Sequence, residues 1–538
     1  MHPPRRRLLL LLLSLGLLPA VTWALLAPPR FPGPDARPRA GAGNAVGGYE
    51  FETRYFRQRL DHFSFPGVGD EEFFQQRYLV GRAGGWAGPG GPIFFYCGNE
   101  GDIAWFAANS GLVWEAAPRF AALVVFAEAN HLTNLHHLPL SLPLTHCCSA
   151  LQHRYYGESM PFGSKDEAYN NSRSLAHLTA EQALADYAVL LTDLKRNLSA
   201  EASPVVLFGG SYGGMLAAWM RLKYPHISVG ALASSAPILQ FEDIVPRAIF
   251  YDLVSNDFKR ESLGCFQTIK DSWKELDEQG NAQDGLLKLS KTFHLCQTLK
   301  SSEALSDWLS SAYSYLAMVD YPMSSDFLMP LPANPIKEVC RNIDKQPEGT
   351  STLERIYAGV NVYYNYTGTV DCFDLDDDPH GMGGWDWQAC TEMVMPMTSS
   401  EDLSMFPRYE FDYGLYADNC VKSFGVRPRP RWITTEFGGH NISSVLEKFG
   451  SNIIFFNGLL DPWSGGGVLK NISSSVVAIV APLGAHHIDL RPATKEDPDW
   501  LVSLRESELE IISVWLSDHY GAGGVLFQNA ATNDQAAS

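Results

Sequence analysis

The sequence predicts an α/β fold: a mostly parallel sheet covered by helices, interrupted by a disulfide-stapled, mainly helical insertion. Three observations predict it. Short apolar runs rich in β-branched and aromatic residues alternate with segments of helical period. Those runs thin out between about residues 240 and 450, where helix-like text and Pro/Gly-rich loops take over and six of the nine cysteines gather. Two more apolar runs follow beyond residue 450.

The elements follow in order. Residues 1–24, "MHPPRRRLLLLLLSLGLLPAVTWA", carry arginines, an apolar stretch and then small residues, the layout of a secretory signal peptide. Residues 25–50 are rich in Pro, Gly, Ala and Arg and read as a flexible leader or propeptide outside the fold. Residues 51–239 form the first part of the core, with strands at "PIFFYCG", "ALVVFAE", "PVVLFGG" and "VGALASSAP". Runs apolar on both faces suit a sheet covered on both sides. Between them, "TAEQALADYAVLLTDLKRNL" opens with Thr179 and Gln182 at capping-box spacing, and Leu184, Tyr187, Leu191 and Leu194 share one face. Residues 240–450 form the inserted helical domain. Residues 451–520 return to the core through "NIIFFNG" and "SVVAIVAP", and 521–538 read as a disordered tail.

Charge and cysteine usage narrow the class. Lys and Arg number 41 against 60 Asp and Glu, a net charge of −19, and no basic cluster lies beyond the first residues, so a nucleic-acid partner is excluded. No segment after the leader has ~20 uninterrupted apolar residues, so no membrane span is expected. Secretory entry makes the sequons at Asn170, Asn197, Asn365, Asn441 and Asn471 candidate glycosylation sites. It also makes the six clustered cysteines candidates for three disulfides, of unassigned pairing. Cys97, Cys147 and Cys148 lie apart. No C-x-x-C occurs, and neither a metal nor a cofactor is expected.

The chemistry centres on "VVLFGGSYGGM". Gly209-Gly210-Ser211-Tyr212-Gly213 fits G-x-S-x-G between a predicted strand and a predicted helix, the setting of a nucleophile elbow. Small neighbours let so tight a turn close, the helix N-terminus favours negative charge, and the Tyr212 N–H is placed for an oxyanion. A serine needs a base, and the base an orienting acid. Asp461 follows the run at 452 and the pair His486–His487 follows the run at 475, in the order this fold uses. Spacing leaves the choice of histidine open. Asp489 is a rival acid, but it follows the histidines. A second oxyanion N–H is expected from the turn Gly98, Asn99 and Glu100 after "FFYC".

Together, "YCGNEGDIAWF", "HRYYGES", "EQALADYAVLL", "GGSYGGMLAAWMRLKYPH", "MVDYP", "DPWSGGG" and "GAHHIDLR" resemble the proline-specific serine peptidases of the secretory and lysosomal pathway. The resemblance runs from about Tyr55 to Tyr520. "LQFEDIVP", "NVYYNYTG" and "RPRPRWITT" are closer to its carboxypeptidases than to its dipeptidyl peptidases. It implies an α/β-hydrolase core with a helical cap over the site. It also implies a triad of Ser211, Asp461 and His486, and the pairs Cys265–Cys340, Cys296–Cys372 and Cys390–Cys420. A fourth family bridge is replaced by Arg247 and about Thr398. The implied substrate is a peptide with penultimate proline, and the implied site is the lysosome or the secreted medium. The family often works at acidic pH, and in a carboxypeptidase a neutral carboxyl terminus, or a protonated group near it, would ease entry to an acidic site. Met215 and Trp463 are candidates for the wall of a proline pocket. A homodimer is compatible with this reading.

One segment departs from the family. Residues 129–152, "ANHLTNLHHLPLSLPLTHCCSALQ", break a continuous match with leucines, four histidines, two cysteines and no charge, with edges as clean as an exon boundary. They follow a strand end, where sites are built. Two classes of function therefore stand: an active peptidase that tolerates the insert, and a secreted glycoprotein that it disables. A dipeptidyl peptidase is the alternative within the enzyme class.

Overall fold

A computed structural model describes residues 45–46 and 48–522, apart from 66–70, 83–84, 101–102, 128–153, 157–158, 376–382, 401 and 439–440. The insert at 129–152, with Cys147 and Cys148, and the signal segment lie outside the described residues.

A small hairpin, β1 (Ala45–Val46) and β2 (Tyr49–Glu50), precedes an eight-stranded sheet. The sheet strands are β3 (Glu52–Arg59), β4 (Phe73–Gly81), β5 (Ile93–Tyr96), β6 (Leu123–Ala127), β7 (Val205–Gly210), β8 (Gly230–Ser234), β9 (Ile453–Gly458) and β10 (Val476–Ala481). Their order is β10-β9-β8-β7-β5-β6-β4-β3. From β10 to β6 every pair is parallel; β6–β4 and β4–β3 are antiparallel. The parallel strands β5, β7, β8 and β9 are buried along their whole length, which accounts for their unbroken apolar text. β3, "ETRYFRQR", mixes exposed and half-buried positions at the sheet edge, with Gln58 alone buried. β3 escaped the sequence reading because its polar text lacks an apolar run, and β4, "FFQQRYLVG", because Gln75, Gln76 and Arg77 interrupt its apolar text although most of the strand is buried.

The helices of the core are α1 (Ile103–Asn109), α2 (Gly111–Phe120), α3 (Lys165–Ala168), α4 (Ser172–Leu175), α5 (Ala180–Asn197) and α6 (Ser211–Lys223). Between β8 and β9 the chain leaves the sheet and forms α7 (Ile249–Glu261), α8 (Leu263–Gly280), α9 (Gly285–Thr292), α10 (Ser302–Met318) and α11 (Pro335–Asp344). That excursion continues with α12 (Thr352–Asn365), α13 (Gly383–Thr391), α14 (Tyr413–Phe424), α15 (Trp432–Phe437) and α16 (Ile442–Phe449), and α17 (Asp499–Ala522) closes the chain. Three disulfides staple the insertion: Cys265–Cys340 joins α8 to α11, Cys296–Cys372 joins the loops after α9 and α12, and Cys390–Cys420 joins α13 to α14. The Thr398 N–H donates to the Arg247 carbonyl at 3.0 Å, so these two positions are neighbours, as a bridge between them would require. One apolar cluster runs from the sheet into the insertion, joining Phe208 and Trp219 to Phe250, Val254 and Leu316.

Three local expectations need correction. The end of the leader belongs to the fold: the Tyr49 ring stacks on Trp114 at 5.4 Å and its hydroxyl donates to Glu115 at 2.8 Å. Burying that ring outweighs the Gly-rich text around it. The capping box of α5 is half made. Thr179 accepts from the Gln182 N–H, but the Gln182 side chain donates to Asp61 at 2.6 Å instead of turning back. Residues 521 and 522 belong to the fold, because α17 runs to Ala522, and the rest of the expected tail, 523–538, lies outside the described residues.

The segment "HRYYGES" earns its place structurally. Arg154, almost wholly buried, grips Asp186 of α5 through Nε at 2.8 Å and Nη2 at 2.7 Å, and donates to the Arg59 and Leu60 carbonyls at the end of β3. His62 completes the clamp at 2.8 Å from Asp186. The edge of the sheet is thereby tied to the helix that runs alongside the elbow.

Candidate active site

β7 ends at Gly210 and α6 starts at Ser211 with no intervening residue. That leaves Ser211 at φ +55°, a left-handed conformation uncommon outside glycine. The turn closes because its flanks have no Cβ. A Cβ on Gly209 would lie 2.1 Å from the Gly213 carbonyl oxygen, and one on Gly213 would lie 2.5 Å from Asn99 Oδ1 and 2.6 Å from the Cys97 carbonyl. Ser211 is 9% exposed and stands at the positive end of α6.

The loop after β5 is drawn onto the elbow. Asn99 Nδ2 donates to the Gly210 carbonyl at 2.6 Å, and Tyr96 donates to Asn99 Oδ1 at 3.0 Å. Tyr187 of α5 donates to the Gly98 carbonyl at 3.0 Å. Asn99 and Glu100 are thus fixed beside the N-terminus of α6, and both are buried. Glu100 lies against its own N–H and Asn99, and burial lifts its carboxyl to about 7. Cys97, at the strand end, is a buried free thiol whose pKa burial pushes up.

Asp461 and His486 come from the loops after β9 and β10. Asp461 caps the short helical turn Pro462–Gly466 by accepting from the Trp463 N–H at 3.1 Å, and its other oxygen lies 2.7 Å from His486 Nδ1. Both residues are fully buried. His486 Nε2 has no hydrogen-bond partner among the described residues, which leaves it open for a proton from a nucleophile. The insertion holds the backbone of this histidine: its N–H donates to the Met318 carbonyl at 2.9 Å, and Tyr321 donates to its carbonyl at 2.8 Å.

His487 points elsewhere. Its Nδ1 accepts from Arg491 at 2.9 Å, its N–H donates to Ser235 at 2.8 Å, and its ring backs onto Gly210. Burial, with His486 and Arg491 nearby, holds its pKa well below the usual histidine value. Asp489 accepts from the Ser234 hydroxyl rather than from a histidine. So the structure brings the Asp461 carboxylate to His486 and sets His487 and Asp489 behind the pair.

Met215 is packed in the main core at 1% exposure. Trp463 meets Phe250 of α7 edge-on at 4.8 Å, with its Nε1 unpartnered among the described residues. Sequence reasoning missed α13. Its Gln388 donates to the Tyr212 hydroxyl oxygen at 2.9 Å and accepts from Tyr156 at 2.6 Å, and Trp385 meets the Tyr212 ring edge-on at 5.4 Å. A lone glutamine in helical text gives no local signal of such a contact. A groove of about 700 Å³ is lined by Glu181, Lys223, Arg429 and Trp432, at the far end of α6 from Ser211. No group of His, Cys, Asp and Glu among the described residues is arranged to hold a metal, and no described helix is long and apolar enough to cross a membrane.

Comparison with known proteins places these residues in context. The profile of the family described as serine carboxypeptidase S28 matches residues 58–132 and 141–508. The lysosomal Pro-X carboxypeptidase of Homo sapiens is 44% identical over 528 residues, covering 97% of this chain and 99% of that protein, and that of Pongo abelii gives the same figures. The lysosomal Pro-X carboxypeptidase of Bos taurus is 45% identical over 480 residues, 88% of this chain and 89% of that protein.

Proposed function

The chain belongs to the serine carboxypeptidase S28 family, and from that premise we propose that it removes the C-terminal residue from peptides whose penultimate residue is proline. The observation that carries this reading is the 2.7 Å contact of Asp461 with His486 Nδ1, opposite an unpartnered Nε2, in a chain whose Ser211 stands on a strained strand-to-helix turn.

Ser211 Oγ attacks the prolyl carbonyl while His486 Nε2 takes its proton. Asp461 keeps the proton on Nδ1 and balances the imidazolium that forms. The Tyr212 N–H and the Asn99–Glu100 loop receive the oxyanion. When the tetrahedral intermediate collapses, the C–N bond breaks, His486 protonates the leaving amine, and the free amino acid departs. Water, activated by the same histidine, then releases the peptide from Ser211. Trp463 and Met215 supply the wall against which the prolyl ring packs.

The relatives are named lysosomal, and we place this chain in the lysosome or secretory pathway, delivered by residues 1–24, with residues 25–44 as a removable leader. Glycans at Asn170, Asn197, Asn441 and Asn471 are compatible with the exposure of those residues; Asn365 is half-buried. A peptide with proline second from both ends tests the reading. Loss of the C-terminal residue supports it. Release of an N-terminal dipeptide replaces it with a dipeptidyl peptidase. No cleavage, with Ser211 unlabelled by a fluorophosphonate, points to a disabled enzyme.

A further inference from the structure

The side chain of Glu100 has no part in the chemistry above, although Asn99 beside it is clamped to the turn that carries Ser211. It is 4% exposed, and its Oε2 has no hydrogen-bond partner among the described residues. The titratable groups that face it are phenols: Tyr96 at the end of β5, Tyr156, and Tyr212 in the first turn of α6. Burial pushes the pKa of all three up, so they stay neutral. No Lys or Arg figures among the groups that shift Glu100. Gln388 fixes two of the phenols from the insertion, so this wall is built and not incidental.

A buried carboxyl with no cation beside it is kept neutral, and a neutral carboxyl is a donor. With its acidity lowered to about 7, it is protonated throughout the acidic range. A donor set among neutral phenols fits an anion, and a carboxypeptidase meets one in every substrate. The C-terminal carboxylate lies one residue beyond the scissile bond, about 3.8 Å along the chain per residue.

Resting on the Pro-X reading above, we propose that the Glu100 carboxyl donates a hydrogen bond to the C-terminal carboxylate of the residue being released, and so selects free carboxyl ends over amidated ones. A charge-assisted O–H···O⁻ bond of this kind is roughly twice as strong as a neutral one. Once ionised, the same group can only accept, and it repels the substrate. One side chain then gives both the exopeptidase preference and the acidic working range.

The test uses the full chain and two blocked peptides, one ending in Pro-Phe and one in Pro-Phe-amide. The quantity read is the ratio of kcat/KM for acid over amide. In the wild type this ratio falls as pH rises through about 7. Glu100→Gln keeps a donor and removes the ionisation, so its ratio stays level over the same range. Glu100→Ala lowers the ratio near pH 5 by about ten- to a hundred-fold. Fluorophosphonate labelling of Ser211 normalises each variant for folded protein. A wild-type ratio level with pH overturns the inference. So does a Glu100→Ala ratio equal to that of the wild type; wild-type release of Phe from the acid then leaves the Pro-X reading standing. A wild type that trims only dipeptides from unblocked amino ends overturns both.

Discussion

Gly213→Ala is expected to disable the enzyme by steric conflict alone. Gly213 has an ordinary φ, so alanine carries no conformational strain there. Its Cβ would nonetheless stand 2.5 Å from Asn99 Oδ1, about 0.9 Å inside the 3.4 Å at which ordinary contact begins. Asn99 cannot swing aside freely, because it is tied to Tyr96 and to the Gly210 carbonyl. Nor can the Cys97 carbonyl, 2.6 Å from the same point, since it terminates a central strand. The conflict must push the Asn99–Glu100 loop away from Ser211. Overpacking of this size costs about 1–3 kcal/mol of stability. A displacement near 1 Å of groups around the reacting carbon costs about a hundred-fold in rate. The assay is kcat/KM on a Pro-X peptide, with thermal midpoint and fluorophosphonate labelling measured on the same preparation. Gly209→Ala, 2.1 Å from a backbone oxygen, should match it. Gly210→Ala meets the edge of the His487 ring at 3.0 Å and should lose much less. A folded Gly213→Ala enzyme within about two-fold of wild type would refute the reasoning, since the expected loss is about a hundred-fold.

Asp461→Asn should lower kcat by about 10⁴ while leaving the fold intact, because the amide favours the wrong imidazole tautomer; near-normal turnover would remove Asp461 from the triad. Arg154→Ala leaves Asp186 buried against His62 alone and should cost about 3–5 kcal/mol in denaturant unfolding. Replacing Cys390 and Cys420 by alanine opens a loop of separation 30, worth roughly 3–4 kcal/mol, and should lower activity before unfolding, since α13 carries the Gln388 contact to Tyr212. Thermal midpoints should be higher near pH 5 than near pH 8. Burial lifts Glu100 and Asp489 to about 7 and Asp257 to about 8; their stability is complete below the ordinary carboxyl range of ~4 and is lost as pH rises through about 7 to 8. His487, depressed by burial, opposes this by costing stability as pH falls below ~6.5, and a higher midpoint near pH 8 would show that it dominates.

What the sequence made legible was local. The elbow could be read because its demands fall on consecutive residues: a strand, four glycines around one serine, and a helix. The parallel strands could be read because burial on both faces leaves continuous apolar text. Asp461 and His486 were found by their order after strand ends, but spacing could not choose between His486 and His487. That choice depends on which ring meets the Asp461 carboxylate, and on Arg491 and Ser235 holding the other. β3 was missed because a sheet edge tolerates polar text, and β4 because Gln75, Gln76 and Arg77 break its apolar run although the strand is paired on both sides and mostly buried. The convergence of Tyr156 and Tyr212 on Gln388 was invisible, since it joins residues 232 and 176 positions apart.

The inserted domain is more than a roof. The main chain of His486 is held at its N–H by Met318, the last residue of α10, and at its carbonyl by Tyr321 just beyond. The loop after β10 therefore reaches its position against Asp461 with the insertion as its support. Phe250 of α7 braces Trp463, two residues past Asp461. Ser211 and the Asn99–Glu100 loop come from the sheet; the setting of His486 and Asp461 depends on the insertion. Partial unfolding of α10 should then disconnect His486 from Asp461 while leaving the Ser211 turn in place. The site is two-part for a physical reason: the serine's geometry is enforced by its own neighbours in sequence, whereas the histidine's loop borrows its hydrogen bonds from a domain encoded more than a hundred residues earlier.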